Sequence, residues 1–149
     1  MFYFVVSVKR FWAYYNRKLN KNQTILLVDD DADVRDIFCE TLKQIDNTLR
    51  CSTAFDGLEA LNVLNANLHH PPDLIFLDLN MPRLNGKQFL LQLKAHPVWH
   101  SIPVVIYSTS RLIKDVQELK EIGALDFLSK PTRVKDLRKS LGKIIKLLL

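Results

Sequence analysis

The sequence predicts an α/β domain: a doubly wound, five-stranded parallel sheet with helices on both faces. The first observation behind this prediction is an alternation, from residue 23 onwards, of short apolar runs with segments whose apolar residues recur at helical spacing. The second is the chain length of 149 residues, which suits one ordinary domain. The third is a composition of 48% hydrophobic and 25% charged residues, which excludes disordered, collagen-like and disulfide-scaffold proteins. Strands that alternate with helices in this way favour a parallel sheet.

The first half of the domain holds three predicted strands and two predicted helices. Residues 24–28 and 74–77 are continuous apolar runs, which suit strands buried on both faces. Residues 49–54 form another strand-like run between them. Helices are predicted at 33–45 and 58–68, where apolar residues return every three or four positions, and two prolines end the second helix.

The second half repeats the alternation. Residues 86–95 and 113–122 have apolar residues at helical spacing, and residues 103–107 are β-branched and typical of a strand. A short fifth strand is predicted at 126–128. The last helix is predicted to run from Thr132, its N-cap, to the end of the chain.

The formal net charge of +5 lies entirely in the first 22 residues, which hold five basic residues and no acidic one. Residues 23–149 contain equal numbers of basic and acidic residues, so the charge is weak evidence for nucleic-acid binding. We therefore divide the chain into a basic, aromatic extension at 1–22 and a domain at 23–149. The extension has two interpretations: a basic amphipathic helix that lies on a membrane or a partner, or a segment preceding the native start.

The two cysteines, Cys39 and Cys51, are too few for a disulfide framework. Each lies in an apolar-patterned segment, which predicts two free, buried thiols in a reducing cytosol. The longest apolar stretches fall short of the ~20 residues that a membrane-spanning helix needs. A cytoplasmic protein is expected.

Polar residues follow four of the predicted strands. Asp29 and Asp30 follow the first strand, Asp78 the third, Ser108 the fourth and Lys130 the fifth. In a parallel sheet these ends meet at one edge, where ligands of such folds bind. Adjacent carboxylates repel each other unless a cation is present, and Mg²⁺ is the usual hard ion with oxygen ligands. A lysine and a hydroxyl beside it suit the oxygens of a phosphoryl group.

Each of these residues alone has an ordinary structural interpretation. A run of aspartates is often helix N-terminal charge, a serine is often a cap, and a lysine is usually solvated. Their coincidence at four favourable positions favours a functional site.

The same residues lie in strings that resemble the receiver domain of two-component response regulators. The matching strings are ILLVDD at 25–30, LDLNMP at 77–82 with Gly86, VIYS at 105–108, and the segment 123–131 with Phe127, Lys130 and Pro131. Asp78 precedes Ser108 by 30 residues and Lys130 by 52, which is the family's spacing. The resemblance covers about residues 23–149 and implies the flavodoxin-like receiver fold with strand order 2-1-3-4-5.

By this resemblance Asp78 is the phosphoacceptor, which takes a phosphoryl group from a sensor histidine kinase or a histidine phosphotransfer protein. Asp30 would bind Mg²⁺ directly, Asp29 closely or through water, and the main-chain carbonyl of Asn80 would be a further ligand beside Asp78. Lys130 would pair with a phosphoryl oxygen, and its bond to the following proline would be a cis peptide.

The resemblance also implies a conformational switch. Ser108 would turn inward to hydrogen-bond the phosphoryl group, and Phe127 stands at the position of the switch aromatic. Two departures from the family pattern matter. Phe127 has no hydroxyl, so a switch hydrogen bond made by a tyrosine is lost. Thr109, where alanine or glycine is frequent, is expected at the mouth of the pocket, where its bulk narrows access to the phosphoryl group.

No sequence follows residue 149, so a stand-alone receiver without a DNA-binding domain is expected. Its output would pass to an unknown downstream protein or onward by phosphotransfer, and the last helices would allow a homodimer. The chain would then catalyse only its own phosphorylation and dephosphorylation. Two alternatives stay open: a Mg²⁺-dependent aspartyl phosphohydrolase, and an adaptor that acts through the basic arm.

Overall fold

The computed structural model describes residues 22–109 and 113–149. The expected helix at 1–22 therefore lies almost wholly outside the described residues. Within the described ranges, strands and helices alternate in the predicted order. The strands are β1 (Thr24–Val28), β2 (Arg50–Ala54), β3 (Leu74–Leu77), β4 (Val104–Ser108) and β5 (Asp126–Ser129). The helices are α1 (Ala32–Ile45), α2 (Gly57–Ala66), α3 (Gly86–Ala95), α4 (Ile113–Ile122) and α5 (Val134–Leu148).

All strand pairs are parallel, and the sheet has the order β2-β1-β3-β4-β5. This confirms the predicted fold class and strand order. The register aligns the carboxyl ends of the strands: Val28 lies opposite both Ala54 and Leu77, and Ser108 lies opposite Ser129. The polar residues that follow these strands therefore meet at one edge.

The core has two layers, one on each face of the sheet. Alternate residues of β1, β3 and β4 point to opposite faces, as the period of a strand requires. One set packs with α2, α3 and α4 and includes Val28, Leu77 and Ile106. The other set packs with α1 and α5 and includes Leu27, Phe76 and Tyr107. Because both faces are covered, the central strands are apolar without interruption.

Two helix starts are set by aspartate caps. Asp31 caps α1 by accepting hydrogen bonds from the N–H groups of Asp33 and Val34, so this helix begins one residue earlier than predicted. Asp56 caps α2 in the same way. The predicted cap at Thr132 is wrong: the N-cap of α5 is Arg133, and its side chain makes no capping hydrogen bond.

The Lys130–Pro131 peptide is trans, since the described residues contain no cis peptide bond. The cis peptide implied by the family resemblance is therefore wrong for this structure. In the same ranges, none of the helices is both long enough and apolar enough to cross a bilayer.

The prediction of two free thiols is also wrong. Cys39 on α1 and Cys51 on β2 form a disulfide, with their Cα atoms 5.5 Å apart. This distance lies in the ordinary range for bridged cysteines. The pair forms because the loop between α1 and β2 returns the chain so that the helix packs beside the edge strand. Because they are bridged, the two cysteines do not indicate a reducing compartment.

Candidate functional site

A cluster of three carboxylates lies at the carboxyl edge of the sheet. Asp29 and Asp30 follow β1, and Asp78 follows β3; each offers an oxygen within 4.8 Å of the others. Asp29 is fully buried and Asp78 is 5% exposed, whereas Asp30 is open to solvent. The structure therefore brings together the three residues that the sequence nominates as acidic ligands.

Backbone hydrogen bonds hold the two buried carboxylates in place. The N–H of Asp29 donates to the carbonyl of Ala54 (3.0 Å), and the N–H of Asp78 donates to that of Val28 (2.9 Å). These bonds continue the sheet one residue beyond the strands. One oxygen of each carboxylate accepts a further backbone hydrogen bond: Asp29 Oδ1 from Asp31 N and Asp78 Oδ1 from Leu79 N, both 2.9 Å long. The aspartates are thus oriented by the backbone of their own loops.

Lys130 brings positive charge to the cluster. Its Nζ lies 2.5 Å from Asp29 Oδ2 and 3.5 Å from Asp78 Oδ1, and its side chain is only 15% exposed. The contact with Asp29 is an ion pair by distance, although no aligned hydrogen bond reaches Oδ2 from the described residues. The backbone N–H of Lys130 donates to the carbonyl of Ser108 (3.0 Å), which ties the lysine to the end of β4.

Tyr107 contributes a contact that the sequence did not reveal. The Nζ of Lys130 lies 5.5 Å from the centre of the Tyr107 ring, within reach of a cation–π interaction. Burial raises the pKa of the Tyr107 hydroxyl to about 12, and the charges of Asp29 and Asp78 act in the same direction. No sequence signal identifies this residue, because its role depends on where the lysine side chain folds.

The remaining nominated residues lie at or near the carboxyl ends of β3, β4 and β5. Ser108 is fully buried, and Phe127 is half-buried against the core layer of α2, α3 and α4. Thr109 is exposed and lines a cavity of about 270 Å³ together with Lys130 and Tyr107. Asn80 is exposed in the loop that follows Asp78.

The carboxyl of Asp78 has an unusual acidity. Burial raises its pKa to about 6; the charge of Lys130 lowers it, that of Asp29 raises it, and the hydrogen bond from Leu79 lowers it. Burial dominates because it disfavours the charged form most strongly. Asp78 is therefore a buried carboxylate that an added positive charge would stabilise.

The donor set fits a hard divalent cation. Three carboxylates converge, one of them exposed, and the oxygen atoms suit Mg²⁺, which retains several of its waters in proteins. The charge on the site also fits, because a single lysine does not neutralise three carboxylates.

Comparison with known proteins identifies the family. The sequence model of the response regulator receiver domain matches residues 25–142, so the chain belongs to this family of signalling domains. Receiver domains are the phosphoacceptor switches of two-component systems, and they accept phosphoryl groups from histidine kinases or phosphotransfer proteins.

Curated relatives differ in length. Sporulation initiation phosphotransferase F of Bacillus subtilis is 29% identical over 126 residues, which is 85% of this chain and 96% of that protein. A protein-glutamate methylesterase/protein-glutamine glutaminase of Clostridium acetobutylicum is 32% identical over 124 residues, which is 82% of this chain but 34% of that protein. The chain spans 29% to 51% of the length of four of the curated relatives that it matches.

Solved structures show the same fold. The phosphorylated cyanobacterial phytochrome response regulator RcpA superposes with a TM-score of 0.77 at 27% identity, over 85% of this chain and 94% of that one. The Mn²⁺-bound form of the response regulator Rcp1 superposes with a TM-score of 0.72 at 33% identity, over 85% and 94% of the two chains.

Proposed function

We propose that Asp78 is the phosphoacceptor of this receiver domain and that Asp29, Asp30 and the main-chain carbonyl of Asn80 hold Mg²⁺ beside it. One observation carries the proposal: the Asp78 carboxylate lies within 4.8 Å of the other two carboxylates and 3.5 Å from the Lys130 ammonium. A nucleophile, a metal site and a fixed cation are thus within reach of one phosphoryl group.

The reaction transfers the phosphoryl group from a phosphohistidine of the partner. An oxygen of Asp78 attacks phosphorus in line with the phosphorus–nitrogen bond; the new phosphorus–oxygen bond forms as that bond breaks, and the imidazole leaves and takes up a proton. Mg²⁺ held by Asp29, Asp30 and the Asn80 carbonyl would supply positive charge that offsets the negative charge of the phosphoryl group. Lys130 pairs with one of these oxygens, and Ser108 donates its hydroxyl hydrogen to another.

The signal is a local change in charge and hydrogen bonding. The acyl phosphate adds negative charge that Ser108 and Lys130 contact, and Phe127 follows the movement of Ser108. Phe127 packs against the core and carries no hydroxyl, so this switch works by packing. The readout is binding of a downstream protein to the altered surface.

The activity is confined to the domain's own phosphorylation and dephosphorylation, with a sensor histidine kinase or a phosphotransfer protein as donor. If the chain were instead an aspartyl phosphohydrolase, it would turn over small phosphoesters. An assay at saturating Mg²⁺ that finds no turnover supports the switch.

Self-association through the last helices is a further part of the proposal. Leu125 before β5 and Leu147 on α5 are large exposed apolar residues, and both line one shallow cavity there. Light scattering with and without beryllofluoride measures whether a dimer forms and whether the site controls it.

The phosphoacceptor is tested by intact-mass spectrometry after incubation with a phosphodonor. The parent protein should gain one phosphoryl group only when Mg²⁺ is present, and hydroxylamine should remove it, as it does an acyl phosphate. Asp78→Asn should abolish the gain and Asp30→Asn should weaken Mg²⁺ binding. Asp36→Asn, which changes an exposed aspartate on α1, is the matched control. Undiminished labelling of Asp78→Asn contradicts the proposal.

A further inference from the structure

The loop that joins β3 to α3 contains a strained residue. Arg83 has a φ of 64°, in the left-handed region that residues other than glycine rarely adopt. Such a conformation persists only where the surrounding structure enforces it. Arg83 lies three residues after Asn80, whose carbonyl is the proposed metal ligand, and three residues before Gly86, where α3 begins.

The side chain of Arg83 is anchored on a buried carboxylate. Its Nε donates to Asp56 Oδ2 (2.5 Å), and its NH2 group forms an ion pair with the same oxygen. The Asp56 side chain is fully buried although that of Arg83 is 53% exposed. The guanidinium also lies over the ring of Phe55, 5.3 Å from its centre. Two contacts therefore fix one exposed arginine on the turn between β2 and α2.

Asp56 is itself held firmly. Its Oδ1 accepts a hydrogen bond from Glu59 N (2.9 Å), and the Glu59 side chain accepts one from Phe55 N (2.6 Å). Burial acts to raise the pKa of Asp56, but the hydrogen bonds from Glu59 and Arg83 and the charge of Arg83 outweigh it, so the pKa is lowered. Asp56 is therefore an ionised, oriented anchor at neutral pH.

The loop is closed at its ends as well. The N–H of Gly57 donates to the carbonyl of Leu84 (3.2 Å), and the N–H of Gly86 donates to that of Leu79 (3.1 Å). A Cβ atom at Gly86 would lie 2.2 Å from the carbonyl oxygen of Asp78, so only glycine allows this approach. Between these closures, Arg83 ties the loop through a charged contact to Asp56, the N-cap of α2, beside the apolar packing of Leu84 on Gly57.

We propose that Arg83, anchored on Asp56, is a positioning residue that fixes the loop carrying Asn80 and so pre-organises the metal site beside Asp78. The inference rests on the proposed function. A loop already held in its binding conformation loses less conformational freedom when the cation binds. Releasing Arg83 lets the backbone near Asn80 leave that conformation, and the cation then binds more weakly.

Electrostatics alone predicts the opposite result. Arg83 is a cation in the loop that carries a proposed ligand of a divalent cation, so its removal should strengthen cation binding if charge repulsion dominates. The sign of the change therefore separates a positioning role from a charge effect.

The experiment measures Mn²⁺ affinity by electron paramagnetic resonance and, on metal-free protein, amide hydrogen exchange in residues 79–85. Arg83→Gln should bind Mn²⁺ about tenfold more weakly and exchange faster in this loop. Asp56→Asn, which keeps a good helix cap, should have the same effect, and the double variant should be no worse than either single one. Arg83→Lys should recover part of the affinity. Arg50→Gln, an exposed arginine at the start of β2, is the charge-matched control and should change nothing.

Two outcomes overturn the inference. If the parent binds Mn²⁺ and Arg83→Gln binds it equally or more tightly, or if the loop exchanges at the parent rate, Arg83 has no positioning role and the proposed function stands. If the parent binds no Mn²⁺, the proposed metal site fails and the inference fails with it.

Discussion

Among the ion pairs of the described residues, those of Lys130 and that of Lys87 lie in contrasting environments. The Lys130 pairs with Asp29 and Asp78 are buried at the edge of the sheet. The Lys87–Glu118 pair, between α3 and α4, joins side chains that are each about half exposed. A buried charge left without its partner is strongly destabilising, because water cannot reach it to take the partner's place. An exposed ion pair contributes little to the free energy of unfolding. The comparison predicts that charge changes at the edge affect stability and function together, and that those on the helices affect neither.

Lys130→Met should change stability most. This change leaves Asp29 and Asp78 buried without their cation, so the metal-free protein should lose about 3 kcal/mol of unfolding free energy at neutral pH. Urea unfolding in the presence of a chelator measures it. Added Mg²⁺ should restore part of the loss, because it supplies positive charge to the same carboxylates. A loss below about 0.5 kcal/mol would remove the distinction between the two kinds of pair.

The second change should raise the free energy of unfolding instead of lowering it. Asp78→Asn should stabilise the metal-free protein by about 2 kcal/mol near neutral pH, because it removes a buried charge. The pKa of Asp78 is raised from 3.8 to about 6 in the folded protein. Between these values the folded state holds more protons than the unfolded state, so stability falls as the pH rises through this window.

The pH dependence is the check on that prediction. Urea unfolding with a chelator measures the difference in unfolding free energy between Asp78→Asn and the parent. This difference should reach its maximum above the folded pKa of about 6 and should disappear as the pH falls to 3.8. Asp36→Asn should show no such dependence. A gain in unfolding free energy that does not change with pH would mean that the gain does not come from the ionisation of Asp78.

A smaller, kinetic effect is expected at the rim of the buried cluster. Thr109 is β-branched and stiff at χ1, so its methyl group should hinder the water that attacks the acyl phosphate. Thr109→Ala should speed self-dephosphorylation and labelling by small phosphodonors several-fold, which corresponds to about 1 kcal/mol of barrier. Mg²⁺ affinity should not change, because Thr109 is not a proposed ligand.

The measurement is the decay of the phosphorylated species at saturating Mg²⁺. Equal rates for Thr109→Ala and the parent would instead place Thr109 on the surface that binds partners. The cavity that it lines with Lys130 and Tyr107 is compatible with either position.

The smallest effect is expected at the exposed pair. Lys87→Gln should change the unfolding free energy by less than about 0.5 kcal/mol, because solvent and salt screen this contact. Thermal unfolding at low and high salt measures it. A loss comparable to that of Lys130→Met would show that burial does not separate the two kinds of ion pair.

The order of the elements and the polar residues at the carboxyl edge of the sheet could be predicted from the sequence alone. Strands β1 and β3 begin and end at the predicted residues, because the polar residues on either side of each apolar run mark where the strand begins and ends. Asp29, Asp30, Asp78 and Lys130 meet as predicted, because the carboxyl ends of parallel strands share one edge. These are consequences of local pattern and chain topology.

Contacts between side chains of different elements depend on how those elements pack, which the sequence pattern does not specify. The Cys39–Cys51 bond depends on how α1 lies against β2, and the Arg83–Asp56 pair on how two loops close over each other. The Tyr107–Lys130 contact depends on the path of one lysine side chain. The trans Lys130–Pro131 bond and the N-cap of α5 at Arg133 likewise differ from what the sequence predicts. Sequence spacing specifies the element on which a residue lies; the packing of those elements specifies the distance between two side chains, and that distance determines their chemistry.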